Sequence, residues 1–172
     1  MRYGSMDKFL QDYGSHANFS WGFDVFADTS ATAMVNGFGG APIMQSALNS
    51  FYNTPDGGQT PYMAALNLAE STIQNDPDLH SSLNPQYLIV FMSDGQPTDS
   101  TAAQLTSKVS EMVSLSPGKI TFNTVYYGPG VATEAGLLQS LAQTGNGHFL
   151  NTNTNPSGLD FSIQDVVAVP CP

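Results

Sequence analysis

The segment "YLIVFMSDGQPTDS", residues 87–100, drives five consecutive apolar residues into Ser93, Asp94 and Gly95, with a second carboxylate at Asp99. A buried strand that ends in a tight acidic turn puts Asp94 where open α/β sheets bind ligands, beyond the carboxyl ends of their strands. Upstream, "GGQTPYMAALNLA" sets Thr60 just before a helix that could approach the same edge. A carboxylate and a hydroxyl among loops are hard oxygen donors, suited to Mg²⁺, Mn²⁺ or Ca²⁺ rather than to zinc. His16, His80 and His148 are isolated in the chain and form no cluster of transition-metal ligands. A structural reading stands beside the metal: Asp94-Gly95 as a plain turn, with Asp99 and Ser100 starting the next helix. For Asp99 the structural reading is preferred.

The elements that must hold these residues alternate between helix and strand. Met6, Phe9, Leu10 and Tyr13 mark one face of a first helix. "FSWGFDVFA" (19–27) reads as a strand and "ATAMV" as its returning partner, followed by the loop "NGFGGAP". Met44, Leu48 and Phe51 predict a short helix. Thr60 and Pro61 read as N-cap and first residue of the next, whose inward stripe is Tyr62, Leu66, Ala69 and Ile73. After the strand at 87–93, Ser100 is the expected cap of a helix carrying Leu105, Val109, Met112 and Val113. A strand at 120–127 follows, then a helix capped by Thr133 and ended by Gly145, then a last strand in "GHFLNT". The tail from 153 is loop-rich, with a short helix expected near 159–167. This alternation predicts a three-layer, doubly wound α/β fold, its sheet mostly parallel with helices on both faces. One domain is expected over 1–172, its core at about 6–150 and a C-terminal tail at 151–172.

Composition narrows the partners. Fourteen acidic residues against four basic ones give a net charge of −10, which argues against nucleic acid or an anionic membrane surface. No apolar run approaches the roughly 18 residues of a membrane span. Few charged residues, with abundant Thr, Asn and Gly, suggest an extracellular, cell-surface or periplasmic setting. The single cysteine, Cys171, cannot form an internal disulfide.

"LIVFMSDGQPTD" resembles the strand and loop of von Willebrand factor type A domains that end in Asp-Gly-x-Pro-Thr-Asp. "GGQTPYMAALNLA" is similar to the same family's Gly-Gly-x-Thr segment and helix, and "ITFNTVYYGPG…LLQSLAQTGNGHF" to its later strand, helix and Gly-x-Phe ending. The resemblance spans about residues 6–150. It implies a Rossmann-like fold and a metal-ion-dependent adhesion site, in which Thr60 and Asp94 match the second and third ligand positions. It also implies Mg²⁺, Mn²⁺ or Ca²⁺ as the ion, and a protein ligand whose acidic side chain completes the coordination. With that context Asp94 is read as a metal residue, acting through water, and Thr60 as a ligand through its hydroxyl.

The family's first motif, Asp-x-Ser-x-Ser, has no clear counterpart. Asp28-Thr29-Ser30-Ala31-Thr32 is a look-alike in the wrong setting, because no helical stripe follows and the interval to Thr60 is too short. Asp28 is read instead as a hairpin-turn residue. Met1 and "RYGSMDKFLQDY" resemble the helix that follows the motif, so the expectation is an N-terminally truncated domain lacking the first strand and first metal loop. The strands at 20–27 and 87–93 would then flank a gap.

The leading expectation is a non-enzymatic, metal-dependent protein-binding domain. A structural or assembly module of the same fold that never uses metal is the alternative. A metal-assisted hydrolase with Asp94 and Asp99 as paired carboxylates is a weaker one, since no histidine, lysine or cysteine flanks that loop as base or nucleophile.

Overall fold

The structure, a computed structural model, describes residues 2–16, 18–54, 57–128 and 130–154. The helix expected near 159–167 and Cys171 lie outside the described residues. Among the described residues there are five helices and five strands, in the order α1 (Arg2–Tyr13), β1 (Asp24–Ala27), β2 (Ser30–Ala33), α2 (Ala41–Tyr52), α3 (Tyr62–Gln74), β3 (Tyr87–Ser93), α4 (Ala102–Ser114), β4 (Ile120–Tyr126), α5 (Ala132–Thr144) and β5 (Asn146–Asn151), alternating from β3 onward. No helix among the described residues is long and apolar enough to cross a membrane. The chain divides into two compact units, one of Met1–Leu79 with Pro97–Asp99, the other of His80–Gln96 with Ser100–Pro172.

In the first unit α1 and α2 pack together, and α3 packs on the β1–β2 pair. Leu10, Val35, Met44, Ala47 and Leu48 form the buried core between α1, α2 and the chain after β2, with Trp21 and Phe23 against it. Tyr62, at the start of α3, is fully buried and meets Phe26 edge to face at 6.0 Å. The region read as a strand at 20–27 is therefore not a member of the parallel sheet. Only 24–27 is strand, and it is bonded antiparallel to β2 in the register Asp24↔Ala33 to Ala27↔Ser30. The cause is local. Asp28 adopts a left-handed conformation (φ 55°), which aspartate tolerates better than most residues, and the chain returns after two residues. Trp21, just upstream, is taken by an isolated bridge to Gly39.

The second unit holds a parallel sheet ordered β3-β4-β5. Parallel neighbours need crossovers, and α4 and α5 supply them, packing on each other and on β4, with α5 also on β5. The β3–β4 ladder runs unbroken from Tyr87↔Ile120 to Ser93↔Tyr126. On β4, residues of both faces (Phe122, Val125 and Tyr126) have no exposed surface, as expected for the middle strand of a covered parallel sheet. Tyr87 and Ser93 turn their backbone groups toward β4. Leu88, Val90 and Met92 turn theirs the other way, to an edge that no described strand pairs.

Polar groups fasten this sheet where regular pairing lapses. Between Phe122 and Thr124 the β4–β5 register shifts. There Asn123, 1% exposed, accepts from the His148 N–H at 2.8 Å, which bridges β4 to β5 at the irregularity, and donates to the Ile89 carbonyl of β3 at 3.2 Å. The Thr124 hydroxyl donates to the Leu138 carbonyl at 2.8 Å and ties α5 to β4.

Two expected helix starts in the second unit differ. α4 is capped by Thr101 rather than Ser100: Thr101 accepts from the Gln104 N–H and the Gln104 side chain accepts from the Thr101 N–H, a reciprocal capping box. α5 begins after Val131 rather than at Thr133. Its entry is held by the buried Tyr126 hydroxyl, which accepts from the Val131 N–H at 3.0 Å and donates to Glu134 at 2.9 Å.

Candidate metal site

Asp94 follows β3 directly, at the carboxyl end of a parallel strand, where strand N–H and C=O pairing stops and backbone can be offered to ligands. Its side chain is exposed and makes no hydrogen bond or ion pair with any described residue. Ser93 beside it is buried, and its hydroxyl lies 3.4 Å from the Gly95 N–H, a long contact that shapes the turn. Gly128, in the loop after β4, runs so close that a Cβ there would collide with the Asp94 carbonyl oxygen and the Tyr126 ring. Gln96 donates to the Thr133 hydroxyl at 3.2 Å, and Asn153 donates to the Gly128 carbonyl at 2.8 Å. The three loops following β3, β4 and β5 thus bond to one another at one end of the sheet, and Asp94 projects from them.

Thr60, the expected N-cap of α3, lies in the first unit, half-buried, one residue before the observed cap. The N-cap of α3 is Pro61, whose side chain can accept nothing, and the helix proper begins at Tyr62. The Thr60 carbonyl accepts from Tyr62 at 2.9 Å and from the Thr98 N–H at 3.1 Å. The cap that Thr60 was expected to provide comes from Asp99: its two carboxylate oxygens accept from the Met63 and Ala64 N–H groups at 3.1 and 3.0 Å. A bidentate carboxylate at a helix N-terminus satisfies two of the four orphan donors and opposes the positive end of the helix dipole. Asp99 therefore starts no helix of its own. It closes α3, some 36 residues upstream, and Thr98 with it binds the Thr60 segment.

Asp28 sits in the hairpin turn, as expected, but it also bears on this loop. Gly58, at φ 90°, leaves no room for a Cβ because the Asp28 carboxylate and backbone lie against it. The structure thus brings Asp28, the 58–60 segment, Thr98 and Asp99 together within the first unit. Three residues of chain (95–97) separate Thr98 from Asp94. Sequence reasoning missed the Asp99 clamp and the Asp28–Gly58 contact, and no local spacing signals either. Asn123 it also missed, although a lone amide in "ITFNTVYY" was a visible departure from an apolar strand.

An exposed carboxylate such as that of Asp94 is a hard oxygen donor, the type that Mg²⁺, Mn²⁺ and Ca²⁺ take. Among the described residues no three His, Cys, Asp or Glu side chains gather closely enough to hold a metal by themselves. His16, His80 and His148 are all exposed. Asp24, on β1, is the perturbed carboxylate of the first unit: burial pushes it up to about 6. No family model matches the chain, and no curated protein matches it either.

Proposed function

We propose that the chain is a metal-dependent protein-binding domain of the von Willebrand factor type A kind, with the three-layer, doubly wound fold of that family. Thr60 and Asp94 serve a Mg²⁺, Mn²⁺ or Ca²⁺ ion, and a partner's acidic side chain completes the coordination. The observation that carries the reading is Asp94: an exposed carboxylate without a partner among the described residues, directly after a parallel strand, in a loop whose Thr98 is bonded to the Thr60 carbonyl. When bound, the ion supplies positive charge that an external carboxylate can join. The chain's own residues do the rest. Asp94 offers one negative charge and leaves the ion's charge largely unneutralised, Thr60 adds a neutral oxygen, and Asp99 holds the α3 entry so that Thr60 keeps its place. An extracellular, cell-surface or periplasmic setting belongs to the same proposal.

Binding of Mn²⁺ by the full chain tests this through water-proton relaxation. Bound Mn²⁺ should raise relaxation, and an added peptide bearing one exposed carboxylate should lower it by displacing a water, whereas its amide analogue should not. Asp94→Asn should remove both effects. Unchanged relaxation on adding the chain to Mn²⁺ overturns the reading.

A second reading, a structural or assembly module that needs no metal, is favoured by one observation: the second carboxylate of the loop, Asp99, is engaged in capping α3. On that reading a protein partner binds equally well in chelator.

A further inference from the structure

Of the chain's twelve asparagines, only Asn18 is followed two residues on by a hydroxyl residue with no proline between, in Asn18-Phe19-Ser20. Asn155-Pro156-Ser157 has the same spacing, but its proline blocks the pattern. The Asn18 triplet lies between α1 and the bridge that Trp21 makes to Gly39, outside every helix and strand. The Phe19 N–H donates to the His16 carbonyl at 3.2 Å, which closes a turn with Asn18 inside it. Asn18, Phe19 and Ser20 are all exposed. Neither the Asn18 amide nor the Ser20 hydroxyl makes a side-chain hydrogen bond to any described residue. Phe19, 38% exposed, is the anchor. Its ring meets His16 edge to face at 5.6 Å and Tyr13 at 6.4 Å, and lies against Trp21 at 6.2 Å. These aromatic contacts hold the turn at the surface while the two polar side chains beside Phe19 stay unengaged.

We propose that Asn18 is an acceptor site for an N-linked glycan. The Asn-x-Ser pattern marks such a site where it lies on a surface loop of an exported protein, and this triplet has the exposure and the turn. The donor is an oligosaccharide carried on a lipid pyrophosphate. The Asn18 Nδ2 forms a bond to the anomeric carbon of the first sugar and gives up one of its two protons. The bond from that carbon to the pyrophosphate oxygen breaks, and the lipid pyrophosphate leaves with the electron pair. The product carries polar, uncharged bulk at an exposed position next to the Phe19 ring, outside the core between α1 and α2, so the fold can keep its packing. The inference rests on the extracellular setting proposed above and not on the metal, so failure of Mn²⁺ binding leaves it standing.

Export of the full chain, behind a cleavable signal sequence, into microsomes that carry the transferase tests this by mass. The protease-protected wild type should be heavier than the bare chain by one glycan, and peptide N-glycosidase should return it to the bare mass. Asn18→Gln and Ser20→Ala should each abolish the shift. Ser20→Thr, which keeps the hydroxyl, should retain it, and Asn155→Gln should leave it unchanged. Thermal melts of the glycosylated and bare chains should both be cooperative, since the glycan stands on an exposed turn. A protected wild type without the shift, a shift that survives Asn18→Gln, or a glycosylated chain that no longer unfolds cooperatively overturns the proposal.

Discussion

Asp99 shows how one side chain can join two sequence motifs. Its carboxylate takes both open N–H groups of the first turn of α3, so removing it leaves two orphan donors beside the positive end of the helix. Asp99→Ala should destabilise the fold by about 1–2 kcal/mol, the range of lost caps and charged hydrogen bonds, measured by urea unfolding. Asp24 makes a prediction in pH. Its pKa is raised from 3.8 to about 6, so the folded chain holds this proton more tightly than the unfolded chain does. Its contribution to stability is therefore greatest below pH 4, declines as pH rises from 4 to 6, and is constant above. Stability measured across that window should fall with pH more steeply in the wild type than in Asp24→Asn. The placement of Asp94 at the end of a strand and of Thr60 just before a helix was legible because each lies in a short pattern with its own element beside it. The partner of Asp99 was not, because capping from a distant loop leaves no spacing to read.

Among elements, apolar periodicity located all five helices and the strands of the parallel sheet, since side-chain burial sets both patterns. What it did not locate were ends and pairings. The strand at 20–27 is rich in aromatics, and a fully buried strand and one half of a hairpin look alike in composition. The difference lies in Asp28, whose left-handed turn sends the chain straight back. Helix starts failed for a similar reason: Ser100, Thr101 and Thr133 all have capping chemistry, and tertiary contacts decide which is used. Thr101→Ala should lose the reciprocal box of α4 and cost about 1 kcal/mol, whereas Ser100→Ala should cost little, a contrast that thermal unfolding can resolve. At the β4–β5 irregularity, a Cβ on Gly147 would fall 2.6 Å from the Phe122 carbonyl carbon and 2.9 Å from the Asn123 Oδ1. Gly147→Ala should therefore force the strands apart, at about 1–3 kcal/mol as for other overpacked sites.

At the scale of the molecule, composition and charge set the terms on which the chain meets other molecules. A net charge of −10 favours cations and disfavours polyanions such as nucleic acid. The outer edge of β3 is a further feature of this scale: Leu88, Val90 and Met92 turn backbone groups to an edge that no described strand pairs, on a strand whose composition is that of a sheet interior. The α/β class and the parallel β3-β4-β5 sheet were legible in the alternation of patterns, while the division into two compact units was not, because no linker composition marks it.

The central claim is that Thr60 and Asp94 serve one ion, and a double-mutant cycle on Mn²⁺ affinity tests it most directly. Free Mn²⁺ is read by electron paramagnetic resonance for the wild type, Thr60→Ala, Asp94→Ala and the double variant, with circular dichroism to show each is folded. The account predicts that each single change weakens binding by about tenfold or more, about 1.4 kcal/mol, and that the double variant is scarcely weaker than Asp94→Ala alone, the signature of coupled residues. Losses that simply add, or a wild type whose Mn²⁺ affinity survives Asp94→Ala unchanged, would contradict it.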